Sequence, residues 1–496
     1  MTLKQLGYSH LIDHYRLAAR PLPVVARLDS RVKGRKARRQ GNQDLLVFET
    51  RYQPEDNLVG HLQFALRYEG INLEVLWLLF EKAGAAEMDA WLDASPQSAY
   101  ARRAGFLFEW LTGRQLEPSV TSKARFVPVL DIAQQFGVND GERNSRFRVI
   151  NNLPGTSDFC PLVRRTPYLE EMVTKDLRER TRETLAHYDQ DLLRRAAAYL
   201  YLKETQASFE VEQEKPSASR AQRFAYLLRQ ADIQRALTEA RLIELQHAVI
   251  DPRFHEFTWR QAQNWVGKDH GYGQQIDFVP PRPEDLPTLM RGLLETVGKQ
   301  LDMDAVILAT AIAFGFVFIH PFMDGNGRIH RYLIHEVLAK AGFTPRGIVL
   351  PVSAVILANL AEYVEVLEDF SRPLLDRTEW NPDTPDVPAT GNDAIYYRFF
   401  DATPQAEFMY RALARTVEED LPTEIAFLLG FDRARSRLND MYDWPGHTLD
   451  LFIRVVHQND NKLSKTKRGS HFAWMTDDEI STAQAVVAVE FAQNQH

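Results

Sequence analysis

The amino-acid sequence predicts a mainly α-helical protein with more than one domain. Apolar residues recur at helical spacing through most of the chain, and segments with strand-like alternation are few. The composition is 45% hydrophobic and 25% charged, which is typical of globular proteins and excludes collagen, disordered polymers and coiled-coil rods. At about 100–200 residues per domain, the 496 residues correspond to two to four domains.

Helix and strand signals follow one another along the chain. Thr166 followed by Pro167 and acidic residues is typical of a helix start, and helices are expected from there to about residue 203. Further helices are predicted at 219–249, 286–299, 305–319, 327–340 and 353–370. The clearest candidate hairpin runs from Tyr272 to Val279 and ends in two prolines.

Two segments rich in proline or glycine divide the chain into three parts. Residues 151–166 and 373–392 carry these turn-forming residues and read as connections. We therefore expect a mainly helical N-terminal domain at 1–166, a central domain at 167–390 and a helical C-terminal region at 391–496.

Charge and cysteine content restrict the environment and the partners. The chain has 59 Lys and Arg against 67 Asp and Glu, a net charge of −8, which gives no global reason to coat nucleic acid or an anionic membrane. Cys160 is the only cysteine, so an internal disulfide is excluded, as in proteins of reducing compartments. The longest apolar stretch, 305–319, is shorter than the about 20 residues that cross a bilayer. We expect a cytoplasmic protein without a signal peptide or a membrane partner.

The segment 320–331 carries the chemistry. A Gly-Asn-Gly turn at a helix start leaves backbone N–H groups unpaired, and the helix dipole adds partial positive charge there. Gly325 and Gly327 allow an anion to approach the backbone closely. Arg328 and Arg331 are three residues apart and therefore share one face of the helix beside this anion seat.

Two further side chains of this segment specify the ligand. Two arginines beside an anion seat indicate a polyphosphate, which Asp324 would repel unless Mg²⁺ lay between them. His320 is the side chain of the segment that can accept a proton near neutral pH. The residues together describe transfer from a Mg²⁺-bound nucleotide, with His320 activating a hydroxyl group.

The same segment resembles a known family. Its sequence HPFMDGNGRIHR matches the Fic signature, HxFx(D/E)GNGRxxR, at every fixed position. Residues 265–290 are similar to the flap region of Fic proteins, and 350–367 to the segment after the signature helix. The resemblance implies a Fic-type helical core with a short β-hairpin flap. It also implies an enzyme that transfers AMP from ATP to a Ser, Thr or Tyr hydroxyl of a target protein.

The resemblance also implies a role for each residue of the signature. His320 is expected as general base, Phe322 as the anchor of the loop in the core, and Asp324 as the Mg²⁺ ligand. The residues expected to bind the nucleotide are Gly325, Asn326 and Gly327 on phosphate, Arg328 on the β-phosphate and Arg331 on the γ-phosphate. Tyr363 and Asn359 lie where the family often contacts the base and ribose, and core or helix-surface roles are equally open. The flap at 272–278 is expected to hold the target by strand-like pairing.

An inhibitory motif is expected upstream. Many Fic proteins carry an inhibitory helix with the pattern (S/T)xxxE(G/N), which Ser208 and Glu212 fit, whereas Gln213 departs from its last position. An arginine suited to a phosphate also accepts a carboxylate, so Glu212 on Arg331 would occupy the γ-phosphate site. This predicts a self-inhibited protein with its inhibitory helix near 204–214. The alternative is that Glu212 belongs to an exposed run of acidic residues.

Other functions stay open at this point. Glu212 could position water for removal of AMP from modified proteins, and the donor could be UTP or a phosphocholine carrier. A DNA-binding regulator or toxin–antitoxin component with a vestigial Fic site is the alternative of another class, and its candidate contacts are the basic segments 31–39 and 462–468. A solvated flexible loop is the favoured interpretation of segment 31–39, and nucleic acid is not an expected partner. The oligomeric state is open, with a homodimer among the alternatives.

Overall fold

Helices make up most of the structure, which confirms the predicted fold class. The computed structural model describes residues 4–231, 235–269, 274–299, 302–345, 347–378 and 394–492. Within these residues, no helix has both the length and the apolar character needed to cross a membrane.

The N-terminal region combines helices with short strands. Its helices are α1 (Gly7–Tyr15), α2 (Leu58–Tyr68), α3 (Leu73–Ala83), α4 (Ala85–Ala94) and α5 (Ala99–Thr112). Its strands are β1 (Lys4–Gln5), β2 (Val24–Leu28), β3 (Arg35–Gln40), β4 (Gln43–Phe48), β5 (Val127–Pro128), β6 (Glu142–Asn144) and β7 (Val149–Asn151). The strands form a four-stranded sheet in the order β1-β2-β4-β3 and a three-stranded sheet in the order β5-β7-β6.

One of these strands corrects a sequence-based expectation. Segment 31–39 was expected to be a solvated flexible loop. Strand β3 covers most of that basic segment and pairs antiparallel with β4 at the edge of the sheet. All six residues of β3 are exposed, and its sequence is almost entirely polar. The strand therefore lacks the alternation of apolar and polar residues by which a half-buried strand is recognised. Arg39 extends from β3 to Glu407, with 2.7 Å between its Nη1 and Oε1 of the glutamate.

The central region is helical and agrees with the sequence in its main elements. The helices are α6 (Pro167–Thr174), α7 (Leu177–Ala186), α8 (Gln190–Val211), α9 (Ala218–Arg229), α10 (Glu239–Val249), α11 (Leu286–Gly298), α12 (Ala305–Ile319), α13 (Asn326–Lys340), α14 (Val352–Ala358) and α15 (Leu360–Leu375). Thr166 caps α6 as predicted, because its hydroxyl accepts a hydrogen bond from Leu169 N–H. The segment predicted as one helix over 353–370 divides at Asn359 into α14 and α15.

A β-hairpin stands before α11. Strand β8 (Val266–Asp269) pairs antiparallel with β9 (Gln274–Phe278). The segment predicted as a hairpin, from Tyr272 to Val279, therefore contains only the second strand of the observed hairpin. The first strand lies earlier in the chain, at β8. Tyr272 itself lies outside the described residues.

The C-terminal region is helical, and its last part has a hydrophobic core of its own. The helices are α16 (Ile395–Arg398), α17 (Thr403–Arg415), α18 (Leu421–Met441), α19 (Gly446–His457), α20 (Lys465–His471) and α21 (Asp477–Ala492). One continuous core runs from Tyr8 to Ile425, and a second joins α18, α19 and α21. The N-terminal and central regions share the first core, so the boundary predicted at residue 166 is not marked by a separation of cores.

Candidate active site

The predicted catalytic segment is the loop between α12 and α13. Helix α12 ends at His320, which adopts a left-handed conformation with φ 52° and donates its N–H to Phe316 O. Phe322 is fully buried and packs against Trp259, as expected of the residue that anchors the loop. Gly325 has φ 96° and caps α13, a conformation that a residue with a Cβ rarely adopts.

Asn326 fixes the shape of this loop. Its Oδ1 accepts a hydrogen bond from Phe322 N–H at 3.1 Å, and its Nδ2 donates to Phe322 O at 2.7 Å. The side chain is 1% exposed, so its amide is committed to the loop. What Asn326 can offer a phosphate is consequently its backbone N–H rather than its side chain.

The first turn of α13 forms an anion nest, by which we mean the backbone of residues 325–328. The first N–H groups of a helix have no carbonyl partner within the helix and carry partial positive charge. A Cβ placed on Gly327 would lie 2.2 Å from Oε1 of Glu212 and 3.4 Å from Nη1 of Arg331. Gly327 therefore leaves room for an anion, and the carboxylate of Glu212 lies against the nest.

Arg331 lies beneath the nest and is held by the upstream motif. Its Nη2 donates to Oε1 of Glu212 at 2.8 Å and to the carbonyl of Ser208 at 2.6 Å, and its Nε donates to the Ser208 hydroxyl at 3.0 Å. The arginine is 1% exposed and Ser208 is fully buried. The structure thus brings together the two predicted inhibitory residues and the arginine expected to bind the γ-phosphate.

Arg328 is held by a second carboxylate, which the sequence analysis did not single out. Its Nη1 bonds Oε2 of Glu214 and also donates to Val249 O at 3.0 Å, and its Nη2 donates to Oδ1 of Asp324 at 2.9 Å. Asp324 is exposed and also accepts the N–H of Gly325. Both arginines of the signature are therefore paired with carboxylates in this conformation.

A single turn places both upstream carboxylates. Helix α8 ends at Val211 with Glu212 as its C-cap, Gln213 follows in the left-handed conformation with φ 57°, and Glu214 comes next. Gln213 N–H bonds Glu210 O at 2.8 Å and Glu214 N–H bonds Phe209 O at 3.1 Å, which is the hydrogen-bond pattern of a Schellman motif. Gln213 stands where the family pattern has Gly or Asn. The left-handed conformation explains that preference, because Gly and Asn adopt positive φ most easily.

The four acidic residues of the α8 segment differ in their surroundings. Glu204 is fully buried, where it faces His335 Nε2 at 2.7 Å and accepts Ser353 N–H at 2.8 Å, and it thereby fixes α8 against α13 and α14. Glu212 and Glu214 hold the two arginines. Glu210 and Glu212 are both exposed, but Glu212 is paired with Arg331, so the interpretation as a solvated charged face applies to Glu210 alone of the four.

The electrostatics of Glu212 are consistent with an ionised carboxylate. Burial raises its pKa, but Arg331, Arg328 and His320 together lower it by more, so the net pKa lies below the usual glutamate value. The carboxylate therefore remains a charged competitor for an anion at neutral pH.

His320 is positioned as a neutral base. Its Nδ1 lies 3.1 Å from Val317 O, which favours the tautomer with the proton on Nδ1 and leaves Nε2 as the acceptor. Burial lowers its pKa to about 4, a shift opposed by the Val317 carbonyl and reinforced by Arg260. The imidazole is thus unprotonated over the physiological pH range.

Residues 256–260, which the sequence analysis did not single out, form hydrogen bonds to the backbone of the loop. Arg260 is 1% exposed and donates its N–H to Pro321 O at 2.8 Å and its Nε to His320 O at 2.9 Å. Glu256 accepts Met323 N–H at 2.8 Å. These contacts fix the backbone from His320 to Met323. No local sequence pattern marks them, because they join residues about 60 positions apart through backbone atoms.

Tyr363 occupies a core position, which is one of the two roles that the sequence left open for it. It is 4% exposed and packs against His330 and Phe408. Burial raises its pKa to about 12. In this conformation Tyr363 offers no open surface to a base or ribose. Asn359, expected beside it, lies at the junction of α14 and α15 and donates its amide to Val355 O.

The hairpin borders the histidine. The ring of Phe278, the last residue of β9, lies 6.2 Å from the His320 imidazole in an edge-on arrangement. Strands β8 and β9 pair only with each other among the described residues, so each keeps a free edge. The base and an unpaired strand edge are therefore neighbours.

Comparisons with known proteins agree with the geometry. Residues 236–338 match the model of the Fic/DOC family. The protein adenylyltransferase Fic of Nematostella vectensis is 28% identical over 172 residues, which is 34% of this chain and 31% of that protein. The protein adenylyltransferase Fic of Drosophila ananassae is 32% identical over 122 residues, which is 22% of this chain and 24% of that protein. The chain thus spans about a quarter to a third of the length of these curated relatives.

Two solved structures are similar to part of the chain. A Fic family protein from Desulfovibrio desulfuricans G20 aligns with a TM-score of 0.38 and 21% identity over 52% of this chain and 76% of that chain. A Fic domain containing signaling protein from Bacteroides thetaiotaomicron aligns with a TM-score of 0.37 and 20% identity over 52% of this chain and 96% of that chain.

The left-handed Gln213 leads to a stability prediction. A residue with a Cβ costs about 1–2 kcal/mol in this conformation, whereas glycine adopts it freely at an entropic cost of about 0.5–1 kcal/mol. Gln213→Gly should therefore raise the free energy of unfolding by about 0.5–1 kcal/mol, as measured by urea denaturation. Gln213→Ala is the matched control and should leave the stability unchanged. Equal stabilisation by both substitutions would show that the conformation of Gln213 is not the cause.

Proposed function

Since residues 236–338 form a Fic domain, we propose that the chain transfers AMP from ATP to a hydroxyl group of a target protein, and that the conformation described above is self-inhibited. The observation that carries the proposal is the Glu212 carboxylate, which lies against the anion nest and on the buried Arg331. A site built for anions holds one of its own carboxylates where a nucleotide phosphate is expected. The two Fic relatives described above are named protein adenylyltransferases, which supports AMP as the transferred group.

The transfer step uses His320 as the base. Its Nε2 takes the proton of the target hydroxyl, whose oxygen forms a bond to the α-phosphorus of ATP. The bond between that phosphorus and the oxygen bridging to the β-phosphate breaks, and pyrophosphate leaves with the electron pair. Because the pKa of His320 is lowered to about 4, the imidazole is ready to accept a proton at neutral pH.

The remaining residues of the signature bind and neutralise the phosphates. The N–H groups of the nest, at Gly325, Asn326 and Gly327, are suited to phosphate oxygens, with Arg328 and Arg331 on the β- and γ-phosphates. Such preorganised donors stabilise charge without reorganisation during the reaction.

Asp324 fits the expected Mg²⁺ ion. Magnesium is usually held by one or two carboxylates together with substrate phosphates, and Asp324 is an exposed carboxylate beside the nest. When bound, the ion would neutralise phosphate charge. Asp324 is paired with Arg328 in the present conformation, so this pairing must open for the carboxylate to serve the metal.

The target segment is expected to add to the hairpin. An extended peptide can pair with a free strand edge, and its main-chain hydrogen bonds supply affinity with little dependence on sequence. Because Phe278 at the end of β9 borders His320, a hydroxyl side chain on the added strand would be delivered to the base.

Inhibition is proposed to act through both carboxylates of the turn after α8. Glu212 keeps Arg331 from the γ-phosphate, and Glu214 keeps Arg328 from the β-phosphate. ATP would then bind weakly or in a pose that does not align its α-phosphate with His320, and positioning of the reacting atoms is what this reaction depends on.

The cytoplasm is the proposed compartment. Cys160 is a fully buried free thiol, and burial raises its pKa to about 12, which suits an inert core residue in a reducing environment.

Release of inhibition gives the first functional prediction. Glu212→Gly should raise protein labelling from α-³²P-ATP severalfold over wild type in cell lysate with Mg²⁺, because Arg331 becomes free for phosphate. Glu210→Gly is the matched control on the same helix and should leave labelling unchanged. His320→Ala in the Glu212→Gly background should abolish labelling. Asp324→Ala in the same background should remove most of the labelling, and the remainder should not depend on Mg²⁺.

Three results would contradict this account. Labelling from γ-³²P-ATP would mean phosphoryl transfer, equal labelling by wild type and Glu212→Gly would remove the inhibitory role, and labelling that persists in His320→Ala would remove the base. Loss of AMP from premodified protein, without any transfer, would identify AMP removal instead.

The pH dependence follows from the lowered pKa of His320. Protonation of Nε2 abolishes base function, so the acid limb of kcat/KM, which reports the free enzyme, should lie at about 4 rather than near 6.5 for the Glu212→Gly variant. Since Glu212 raises the pKa of His320, its removal moves the limb further in the same direction. Circular dichroism at each pH controls for unfolding. A limb between 6 and 7 in folded protein would show that the imidazole titrates as if it were exposed.

A further inference from the structure

A cluster of metal-ligating side chains lies in the N-terminal region, outside the site described above. His10 belongs to α1, His61 belongs to α2, and Asp56 lies in the loop that precedes α2. One ligand atom from each of the three residues lies within 4.8 Å of the other two. Helix α1 and the segment 56–61 therefore converge on one point with imidazole and carboxylate groups.

The spacing of these atoms is close to that of a tetrahedral site. Zn²⁺ lies about 2.0–2.2 Å from nitrogen and oxygen ligands, which puts neighbouring ligand atoms about 3.3–3.5 Å apart. Nε2 of His61 lies 3.4 Å from Oδ1 of Asp56, and Nε2 of His10 lies 3.9 Å from the same oxygen. Coordination requires the stacked rings of His10 and His61 to rotate, because the lone pair of an imidazole lies in its ring plane and the two planes are now within 10° of parallel.

The present contacts of His61 do not account for its burial. The residue is 1% exposed, and its ring stacks on His10 with 3.6 Å between the ring centres. Within the described residues its Nδ1 has no hydrogen-bond partner, and its Nε2 has the long contact to Asp56. Buried polar atoms are usually satisfied, so Nε2, which faces the cluster with only this long contact, points to a ligand there.

A fourth ligand is available one turn along α1. His14 follows His10 by four residues, which places both imidazoles on one face of the helix, with 5.8 Å between the ring centres. This spacing recurs in zinc-binding helices. His14 is exposed, so its side chain can rotate toward the cluster without displacing core residues.

A lysine now faces the carboxylate. Nζ of Lys4 lies 3.5 Å from Oδ1 of Asp56, and both side chains are largely exposed. Exposed pairs of this kind contribute little to stability, so a divalent ion can replace the lysine at the carboxylate.

We propose that His10, His14, His61 and Asp56 bind one divalent transition-metal ion of the Zn²⁺ type and thereby tie α1 to α2. Four protein ligands without an open position are typical of a structural site, which places this ion outside the transfer chemistry. The site is independent of the Mg²⁺ expected at Asp324, because Mg²⁺ prefers oxygen ligands and imidazole suits zinc.

Metal titration tests the proposal on the full-length, tag-free chain after dialysis against a chelator. Isothermal titration calorimetry with Zn²⁺ should give one site per chain, Co²⁺ should give the visible absorption of a tetrahedral complex, and Mg²⁺ should not compete. Zn²⁺ should also raise the thermal midpoint of unfolding, because it binds the folded state.

Variants connect the signal to the cluster. His10→Ala and Asp56→Asn should each weaken Zn²⁺ binding at least tenfold and remove the thermal shift, and His14→Ala should weaken it and change the Co²⁺ spectrum. His187→Ala removes an exposed imidazole elsewhere and is the matched control. Absence of Zn²⁺ binding by folded wild type, or undiminished binding by His10→Ala and Asp56→Asn, would overturn the proposal. His10, His14 and Asp56 are each partly or fully exposed, so circular dichroism of these variants should show unchanged folding.

Discussion

Buried positive charge is the constraint on which the site depends. Arg260, Arg328 and Arg331 are each at most 4% exposed, and all three lie around the loop between α12 and α13. A guanidinium removed from water requires a compensating anion or a full set of hydrogen bonds. Arg260 meets this requirement with backbone carbonyls, whereas Arg328 and Arg331 meet it with carboxylates. The charges of these two arginines are thus compensated by carboxylates of the chain itself, while Nε of Arg328 and Nη1 of Arg331 have no hydrogen-bond partner among the described residues.

The turn after α8 supplies the carboxylates that pair with Arg328 and Arg331. Its Schellman hydrogen bonds put Glu212 and Glu214 on the two sides of Gln213, so one backbone geometry serves both arginines. The position of this turn depends in turn on α8, which Glu204 fixes to the signature helix. Helix α18 also contacts α8, through Lys203 Nζ and Glu424 Oε1 at 2.6 Å. Helix α18 of the C-terminal region is therefore connected directly to the helix that carries this turn.

Local patterns predicted the part of the site that is contiguous in sequence. The loop from His320 to Arg331 and its two flanking helices follow from turn chemistry, helix periodicity and the family signature. Glu212 was reached only through the family pattern, because an acidic run by itself indicates a solvated face. Its pairing with Arg331 shows why this interpretation fails there.

Long-range contacts account for what the sequence did not predict. Glu214 and Arg260 have no local signal, since their function depends on a chain segment about 60 to 114 residues away. The sequence left Tyr363 open between a nucleotide contact and a core role, because only the packing of helices, which buries it beside His330, distinguishes the two. Strand β3 was missed because exposed basic residues carry no apolar alternation, and only its pairing with β4 reveals it.

Nucleotide affinity tests the central claim most directly. The Kd values of ATP and of AMP would be measured by calorimetry in the presence of Mg²⁺. All proteins would carry His320→Ala, which prevents turnover, and would be compared with and without Glu212→Gln and Glu214→Gln. AMP lacks the β- and γ-phosphates, so each added substitution should tighten ATP binding, the two together should tighten it most, and AMP binding should stay unchanged. Equal changes for ATP and AMP, or no change for either, would contradict occupation of the phosphate-binding arginines by the two carboxylates.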